Sequence, residues 1–314
     1  MKLYYKILIF FLLALIIFKP ANAQTADDGF TMQKGQICIV AGYKQSTWTN
    51  YWEGEKLRDN KNIGVFTSKI VMPMVAYGIT NKLNVFASLP YISNSSNAGN
   101  MTGKKGLQDI SVEAKYTLFN VSKKGLHFKL LGTVGFSLPS NKYVPDFLPF
   151  SIGIGSKTAH ARLIAHAHYK DGLFATVQTG FIARSNITVE RITYYTDRQY
   201  YSSDMRIPNV WDGSVKLGYD NKYFRAYTYY SFSRATSGTD IRLNDMPYPG
   251  NNMQMQSAGI SGLVWVQAIK GLGVNAMYDA VLAGRNVGKA TSWSVGLQYF
   301  FEPFKKKNNA TIKK

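Results

Sequence analysis

The sequence is poor in cysteine, histidine and acidic residues, and each scarcity excludes a class of protein. Its one cysteine, Cys38, cannot form a disulfide within the chain and lies too far along it for a lipoprotein anchor. The 18 acidic residues stand against 37 Lys and Arg, which gives a formal net charge of +19. Such a balance can indicate nucleic-acid binding. The N-terminus predicts export instead, so anionic lipid or lipopolysaccharide is the better interpretation and no nucleic-acid partner is expected.

Long apolar runs are scarce too, and the only one stands near the N-terminus. Residues 7–18 are uninterrupted apolar side chains, which is shorter than the roughly 20 residues that a membrane-spanning helix needs. Lys2 and Lys6 precede this run, and Ala21-Asn22-Ala23 follows it as a small-x-small cleavage site. These features predict a cleaved secretory signal peptide over residues 1–23, with an uncleaved membrane anchor as the alternative.

What the sequence does contain is alternation of apolar and polar side chains. In the last such segment Trp293, Val295 and Leu297 share one face, while Ser294 and Gly296 share the other. A period of two is typical of a strand with one apolar and one wet face. Twelve segments are predicted as strands: 36–46, 62–77, 83–92, 107–119, 126–138, 155–169, 172–185, 209–220, 223–234, 255–268, 271–283 and 290–301.

The connections between these segments alternate between long and short, as in bacterial outer-membrane barrels with long outer loops and short periplasmic turns. The 21 Tyr, 18 Phe and 5 Trp fit aromatic girdles at the two membrane interfaces. The sequence therefore predicts an all-β protein, a transmembrane up-and-down antiparallel β-barrel of about 12 strands over residues 36–301. We expect it in a Gram-negative outer membrane, with a periplasmic segment 24–35 and a basic periplasmic tail 302–314. Its partners would be outer-membrane lipid, lipopolysaccharide and the barrel-assembly machinery.

The alternation also assigns side chains to the two faces, and it favours lipid over the interior of a soluble sandwich. In the fourth segment Ile110 and Val112 face outward, while the charged residues between them face inward. Strand two is ambiguous, because Lys69 and Pro73 share a face with Val71. The pattern predicts twelve inward-facing candidates for the lumen or pore lining: Asp109, Glu113, Lys115, Lys129, His160, Arg162, His166, His168, Asp212, Lys216, Arg225 and Asp279.

Two short motifs carry a resemblance to a known family. The first is Tyr77-Gly78-Ile79-Thr80-Asn81-Lys82-Leu83-Asn84-Val85 and the second is Gly106-Leu107-Gln108-Asp109-Ile110 through Lys115-Tyr116. Over about forty residues the chain resembles the MetA-pathway of phenol degradation family of outer-membrane barrels. The resemblance implies a barrel that transports small, often aromatic or hydrophobic molecules, and it carries over no catalytic residue.

Two interpretations of the inward-facing charges remain open. They could pair across the barrel and fill it, since small barrels are packed inside. Alternatively they could line a water-filled pore whose positive excess prefers anions, as basic rings do in anion pores. Further charged residues on the same face are Lys44 and Arg184.

Metal and catalytic sites are poorly supported by the sequence. His160, His166 and His168 share one face, but no Cys or Asp stands at metal-motif spacing, so no metal and no cofactor is expected. A lipid-modifying enzyme would need a nucleophile beside a histidine. The residues two positions after His160 and His166 are Arg162 and His168, and all of these point inward. The sequence therefore predicts no enzyme.

The loops contain aromatic clusters, such as Trp48, Tyr51 and Trp52. They favour an outer girdle and loops folded into the mouth, with a ligand site as the alternative. A channel or transporter for a small-molecule solute is the leading hypothesis. A structural or surface-interaction barrel with a plugged lumen is the alternative, and a lipid-modifying enzyme is the least favoured.

Overall fold

The computed structural model describes residues 25–303 except 171, 197, 243 and 244. The predicted signal peptide and nearly all of the predicted C-terminal tail lie outside the described residues. No helix in the described part of the chain is long and apolar enough to cross a membrane.

Twelve antiparallel strands form one sheet that closes on itself. The first strand pairs with the second on one side and with the last on the other, from Ile37 opposite Phe301 to Thr47 opposite Thr291. The prediction of a twelve-stranded up-and-down barrel is confirmed. The strands are β1 (Ile37–Trp48), β2 (Phe66–Gly78), β3 (Leu83–Ser88 and Tyr91–Ser96), β4 (Lys104–Leu107 and Asp109–Lys123), β5 (Leu126–Pro139), β6 (Thr158–Tyr169), β7 (Leu173–Arg184), β8 (Val210–Asp220), β9 (Phe224–Ala235), β10 (Gln254–Trp265), β11 (Leu272–Arg285) and β12 (Thr291–Phe301).

Strands β3 and β4 are each interrupted, which the alternation did not reveal. Pro90 has no N–H to donate to the ladder, so β3 breaks after Ser88 and resumes at Tyr91. The backbone N–H of Gln108 donates to the carbonyl of Pro90 at 2.8 Å, which places the break of β4 beside that of β3. Both strands also begin or end several residues outside the predicted ranges 83–92 and 107–119.

The two faces of the sheet follow the predicted alternation. Val134 and Ile260 point outward and are each 59% exposed, while Leu131 and Ile164 point inward and are fully buried. Lys69 and Pro73 of β2 lie on the same outward side as the exposed Val71 and Val75. The ambiguous strand therefore presents a lysine and a proline on an otherwise apolar outer wall.

Short turns stand at one end of the barrel and long loops at the other. The β4–β5 turn is Lys124-Gly125, both with positive φ (48° and 83°), the backbone twist that favours a tight hairpin between right-twisted strands. Because Ile37 begins β1 and Phe301 ends β12, both termini of the barrel lie at the short-turn end.

The long loops fold over their end of the barrel and have small apolar cores of their own. One cluster joins three connections through the buried Ile187, Met205 and Ile207, with Ile154 and Tyr248 packed against them. A second contains Ile63, Phe66 and Phe150, with Trp48 and Met101 at its edge. The predicted folding of aromatic loop residues towards the mouth is consistent with this arrangement.

Candidate functional site: the lumen and its N-terminal plug

The structure places all twelve predicted lumen residues on the inward face of the barrel. In each strand these side chains are buried or half-buried, and most of the exposed apolar side chains stand at the alternate positions on the outer wall. Lys115 is 0% exposed, and His166, Lys216, Arg225 and Asp279 are also buried. The question is therefore what fills the space between these side chains.

Residues 25–34, which we call the N-terminal plug, lie inside the short-turn half of the barrel. They enter beside the turn between β2 and β3, where the Gly35 N–H donates to the carbonyl of Gly78 at 2.8 Å. The Lys34 N–H donates to Oδ1 of Asn81 at 2.9 Å in the same place. The sequence predicts this segment as a periplasmic extension, so its position within the lumen was not anticipated.

A second asparagine, Asn84 of β3, also fastens the plug at its entrance. Met32 donates from its N–H to Oδ1 of Asn84 at 3.1 Å, and Asn84 returns a hydrogen bond from Nδ2 to the Met32 carbonyl at 3.2 Å. The Met32 side chain is 2% exposed and packs in an apolar cluster at the short-turn end. That cluster contains Cys38, Ala76, Phe86, Leu263, Trp265 and Phe300.

Deeper in the lumen, two lysines of the wall bind the plug. Lys115 of β4 donates from Nζ to the Thr25 carbonyl at 2.6 Å, to the Asp28 carbonyl at 3.0 Å and to Asp28 Oδ1 at 2.9 Å. Lys216 of β8 donates from Nζ to the Asp27 carbonyl at 3.1 Å and to Asp27 Oδ2 at 2.9 Å. These are charge-assisted contacts, and they offset the cost of burying both ammonium groups.

The aromatic ring of the plug lies in a pocket formed by β6, β7 and β9. The Arg225 guanidinium lies 3.2 Å from the centroid of the Phe30 ring. The rings of His166 and Phe174 meet Phe30 with centroid distances of 4.9 and 5.5 Å. A Cβ on Gly29 would come within 2.0 Å of His166 Cγ, so only glycine fits at this position of the plug.

Two further wall residues complete the contacts of the plug. Thr133 donates from Oγ1 to the Ala26 carbonyl at 3.0 Å, and Lys129 Nζ lies 3.2 Å from Thr31 Oγ1. Lys129 was predicted to line the lumen, and Thr133 was not. Thr133 shares the parity of Lys129 in β5, which was the signal available in the alternation, and the structure buries it at 0% exposure.

A belt of opposite charges lies next to the plug, one row further towards the long-loop end. His160 Nε2 lies 3.2 Å from Glu113 Oε2, which is ion-pair distance without hydrogen-bond geometry. Arg162 donates from Nη2 to Asp212 Oδ2 at 2.9 Å. These four residues come from β4, β6 and β8, so the contacts run along one wall of the lumen rather than across it, and charge pairing across the barrel stays a prediction.

Glycines on the intervening strands make these two contacts possible. Gly135 of β5 stands between Glu113 and His160, and a Cβ there would be 2.7 Å from both side chains. Gly180 of β7 stands between Arg162 and Asp212, and a Cβ there would lie 2.3 Å from Arg162 Cγ. The belt therefore spans five adjacent strands.

Towards the long-loop end, the remaining predicted acids also have partners. Asp279 accepts from Lys44 Nζ at 3.2 Å across the β1–β12–β11 wall. Asp109 accepts from the Tyr143 hydroxyl at 2.5 Å. Because Tyr143 belongs to the loop between β5 and β6, this bond ties the loop to the barrel wall.

The same loop is held over the mouth by an asparagine of β3. Asn94 Nδ2 lies 2.8 Å from the Ser151 carbonyl and 3.2 Å from the Phe150 carbonyl. The Phe150 ring is fully buried and meets Phe66 edge-on at 5.6 Å between centroids. The loop is also joined to its neighbour, because Asp146 accepts from Arg191 Nε at 2.8 Å.

The histidines of β6 have wall partners of different kinds. His166 Nδ1 lies 2.7 Å from Thr176 Oγ1, and His160 faces Glu113 as described. His168 lies beside His166 with a ring distance of 6.3 Å. Among the described residues, no group of three or more potential ligands could hold a metal ion.

An apolar outer wall, a charged interior and short turns at one end are typical of transmembrane β-barrels. The COG4313 outer membrane channel from Pseudomonas putida F1 has this fold, with a TM-score of 0.69 over 90% of this chain and 100% of that chain, at 12% identity. The KdgM porin in complex with disordered oligogalacturonate gives 0.45 over 84% of this chain and 99% of that chain at 11% identity. The translocator domain of autotransporter NalP from Neisseria meningitidis gives 0.46 over 87% and 90% at 14% identity. At 12% identity the likeness to the first of these proteins is one of fold, and the two lower TM-scores carry no argument.

No protein-family model matches the sequence, and no curated protein matches it. The resemblance to the MetA-pathway of phenol degradation family therefore stays a hypothesis.

Proposed function

We propose that this protein is an outer-membrane β-barrel channel or transporter for small molecules, with its N-terminal plug resident in the lumen. The observation that carries the proposal is a closed barrel with an apolar outer wall and an interior lined by charged side chains. Lipid would surround the outward Val134 and Ile260, and water or solute would meet the lumen. We expect the signal peptide over 1–23 to be cleaved, both termini of the mature chain including the tail 302–314 to lie in the periplasm, and the barrel-assembly machinery to insert the protein.

The solute path is proposed to run past the plug and the charged belt. The sequence suggested a basic lumen that prefers anions, but Asp27 and Asp28 of the plug neutralise Lys216 and Lys115. The resident chain thus removes part of the positive excess. Movement of the plug would restore it.

Conductance in a planar lipid bilayer tests the proposal on the full chain. We expect small or brief current steps for the wild type and larger, anion-preferring steps for Asp27→Asn/Asp28→Asn, because the plug loses both ion pairs. Arg162→Glu should reduce the anion preference of the opened variant. Correctly folded barrels that pass neither ions nor sugars in liposome swelling, with or without these substitutions, would contradict the proposal.

A second candidate function is a structural or surface-interaction barrel. It is favoured by the buried plug contacts and by loops that place Ile192 and Tyr201 at 83% and 84% exposure. The absence of conductance in the experiment above, together with intact folding, would favour this candidate. No catalytic role is proposed for any residue, because the inward histidines contact the plug and the wall rather than lipid.

A further inference from the structure

The plug supplies the two buried wall lysines with all five oxygen acceptors of their hydrogen bonds. Three go to Lys115 and two go to Lys216, and each lysine receives one side-chain carboxylate oxygen. Lys115 has three N–H donors, so residues 25–28 saturate it. The centroid of the Phe86 ring lies 5.4 Å from the same Nζ. The wall therefore presents two neighbouring ammonium groups to whatever fills this half of the lumen.

Beside these ammonium groups the wall presents a place for an aromatic ring. Phe30 lies against the Arg225 guanidinium and between His166 and Phe174. Arg225 is itself fixed by Asp220, whose Oδ1 accepts from Nε at 2.8 Å. A guanidinium over a ring face and edge-on aromatic neighbours are favourable contacts for any aromatic group.

We propose that this wall is a binding site for organic anions with two nearby carboxylates and an aromatic ring, and that Asp27, Asp28 and Phe30 occupy it as a resident competitor. Lys115 and Lys216 would bind the carboxylates, and Arg225, His166 and Phe174 would bind the ring. The inference rests on the proposed function, because it names the solute class that would displace the plug on its way through the barrel.

The attachment of the plug supports its role as a competitor. Asn84 and Gly78 hold it at the entrance through Met32 and Gly35. The deeper residues reach the two lysines through the carboxylates of Asp27 and Asp28, which a ligand would replace, and also through backbone carbonyls of residues 25–28. A solute that supplied carboxylates and a ring could thus release residues 25–30 while Met32 stayed fixed, and the two lysines would keep acidic partners throughout.

Calorimetric titration of the full chain with phenylsuccinate, which has two carboxylates and one phenyl ring, tests the proposal. Asp27→Asn/Asp28→Asn should bind it about tenfold more tightly than the wild type, since an occupied site lowers apparent affinity in proportion to its occupancy. Glu55→Gln/Asp59→Asn is the matched control, because it removes the same amount of charge from the hairpin in the long loop between β1 and β2. Succinate should bind more weakly than phenylsuccinate, and 2-phenylethylamine should not bind. Equal affinities in all three proteins would overturn the proposal.

A second measurement needs no variant. Saturating phenylsuccinate should accelerate hydrogen exchange of the amides in residues 25–30 of the wild type and leave β6 unchanged. Unchanged exchange in the plug at saturation would also overturn the proposal. Binding without conductance would contradict the channel function and leave the site standing, whereas conductance without binding would do the reverse.

Discussion

At the scale of single residues, the belt formed by Glu113, His160, Arg162 and Asp212 depends on glycines at two neighbouring positions, where any side chain would collide with it. Gly180→Ala would place a Cβ 2.3 Å from Arg162 Cγ and 2.7 Å from Asp212 Oδ1, with the Ala161 carbonyl at 3.0 Å. We expect a loss of roughly 1–3 kcal/mol in the free energy of unfolding, the usual cost of overpacking. Urea unfolding in detergent, followed by heat-modifiable gel migration, measures it.

Gly262→Ala is the matched control for that experiment. Gly262 lies on β10 and a Cβ there would meet nothing within 4 Å. Its substitution should change the unfolding midpoint little. Equal effects of the two substitutions would show that the Arg162–Asp212 contact does not depend on the space above Gly180.

The burial of Lys115 leads to a second prediction. Lys115→Met removes the ammonium that donates to Thr25 and Asp28, and it leaves the Asp28 carboxylate inside the lumen without its cation. Breaking a buried pair costs on the order of 3 kcal/mol in the free energy of unfolding. The loss is smaller if the plug leaves the lumen, because Asp28 is then hydrated. We expect a folded barrel in which the amides of residues 25–31 exchange rapidly with solvent. Lys105→Met, at an exposed position of β4, should leave that exchange slow.

At the scale of elements, the barrel strands were predictable and the plug was not. Alternation is a local property, so β5 and β8 could be placed within a residue or two from their own side chains. The contact of Lys216 with Asp27 spans 189 positions, and no local pattern connects them. The available signal was a lumen face with Lys115, Lys129 and Lys216 on it and too few acids nearby. Such a face requires carboxylates from elsewhere.

The breaks in β3 and β4 differ in the same way, because one follows from a local residue and the other from a distant pairing. Pro90 stood within the predicted range of β3, and its lack of an N–H is a local fact that predicts an interruption. The matching break at Gln108 depends on pairing with the neighbouring strand, so it could not be read from the sequence of β4. The outward face assigned to Ile110 and Val112 of β4 is nevertheless correct, because both residues lie after the break. The break itself shifts the alternation, since Leu107 is 42% exposed on the outer wall whereas Asp109 lies on the inward face.

The loop between β9 and β10 is attached to the end of β11 through a carboxylate, which predicts a pH dependence. Hydrogen bonds from Arg285 hold the pKa of Asp240 below its ordinary value, with a further bond from Asn286. A carboxyl with a lowered pKa in the folded protein stabilises it above the unfolded pKa, and this contribution is lost as the pH falls through the folded value. Relative to the intrinsic exchange rate at each pH, hydrogen exchange in residues 238–242 and 245–252 should therefore be slow at pH 6 and faster near pH 2.

Asp240→Asn is the control for the loop. Asparagine cannot ionise, so the pH dependence between about 5 and 2 should diminish in these residues, while exchange at pH 6 should be faster than in the wild type. Because the Asp240 side chain is 40% exposed, the effect should be confined to the loop and leave the barrel intact. A loop equally protected at both pH values in the wild type would refute the role of Asp240.

At the scale of the whole molecule, the side of the membrane on which each end lies can be tested with cysteine labelling. The single native cysteine, Cys38, is 0% exposed inside the barrel and provides a silent background. Tyr201→Cys places a thiol on an 84% exposed side chain in the loop between β7 and β8. Lys222→Cys places one on an exposed side chain in the short turn between β8 and β9.

If long loops face outward and short turns face the periplasm, a membrane-impermeant maleimide should label intact cells only through Tyr201→Cys. Lys222→Cys should react only after the outer membrane is permeabilised, and the wild type should stay unlabelled in both conditions. Labelling of Lys222→Cys in intact cells, with Tyr201→Cys protected, would invert the barrel and would place the plug at the cell surface.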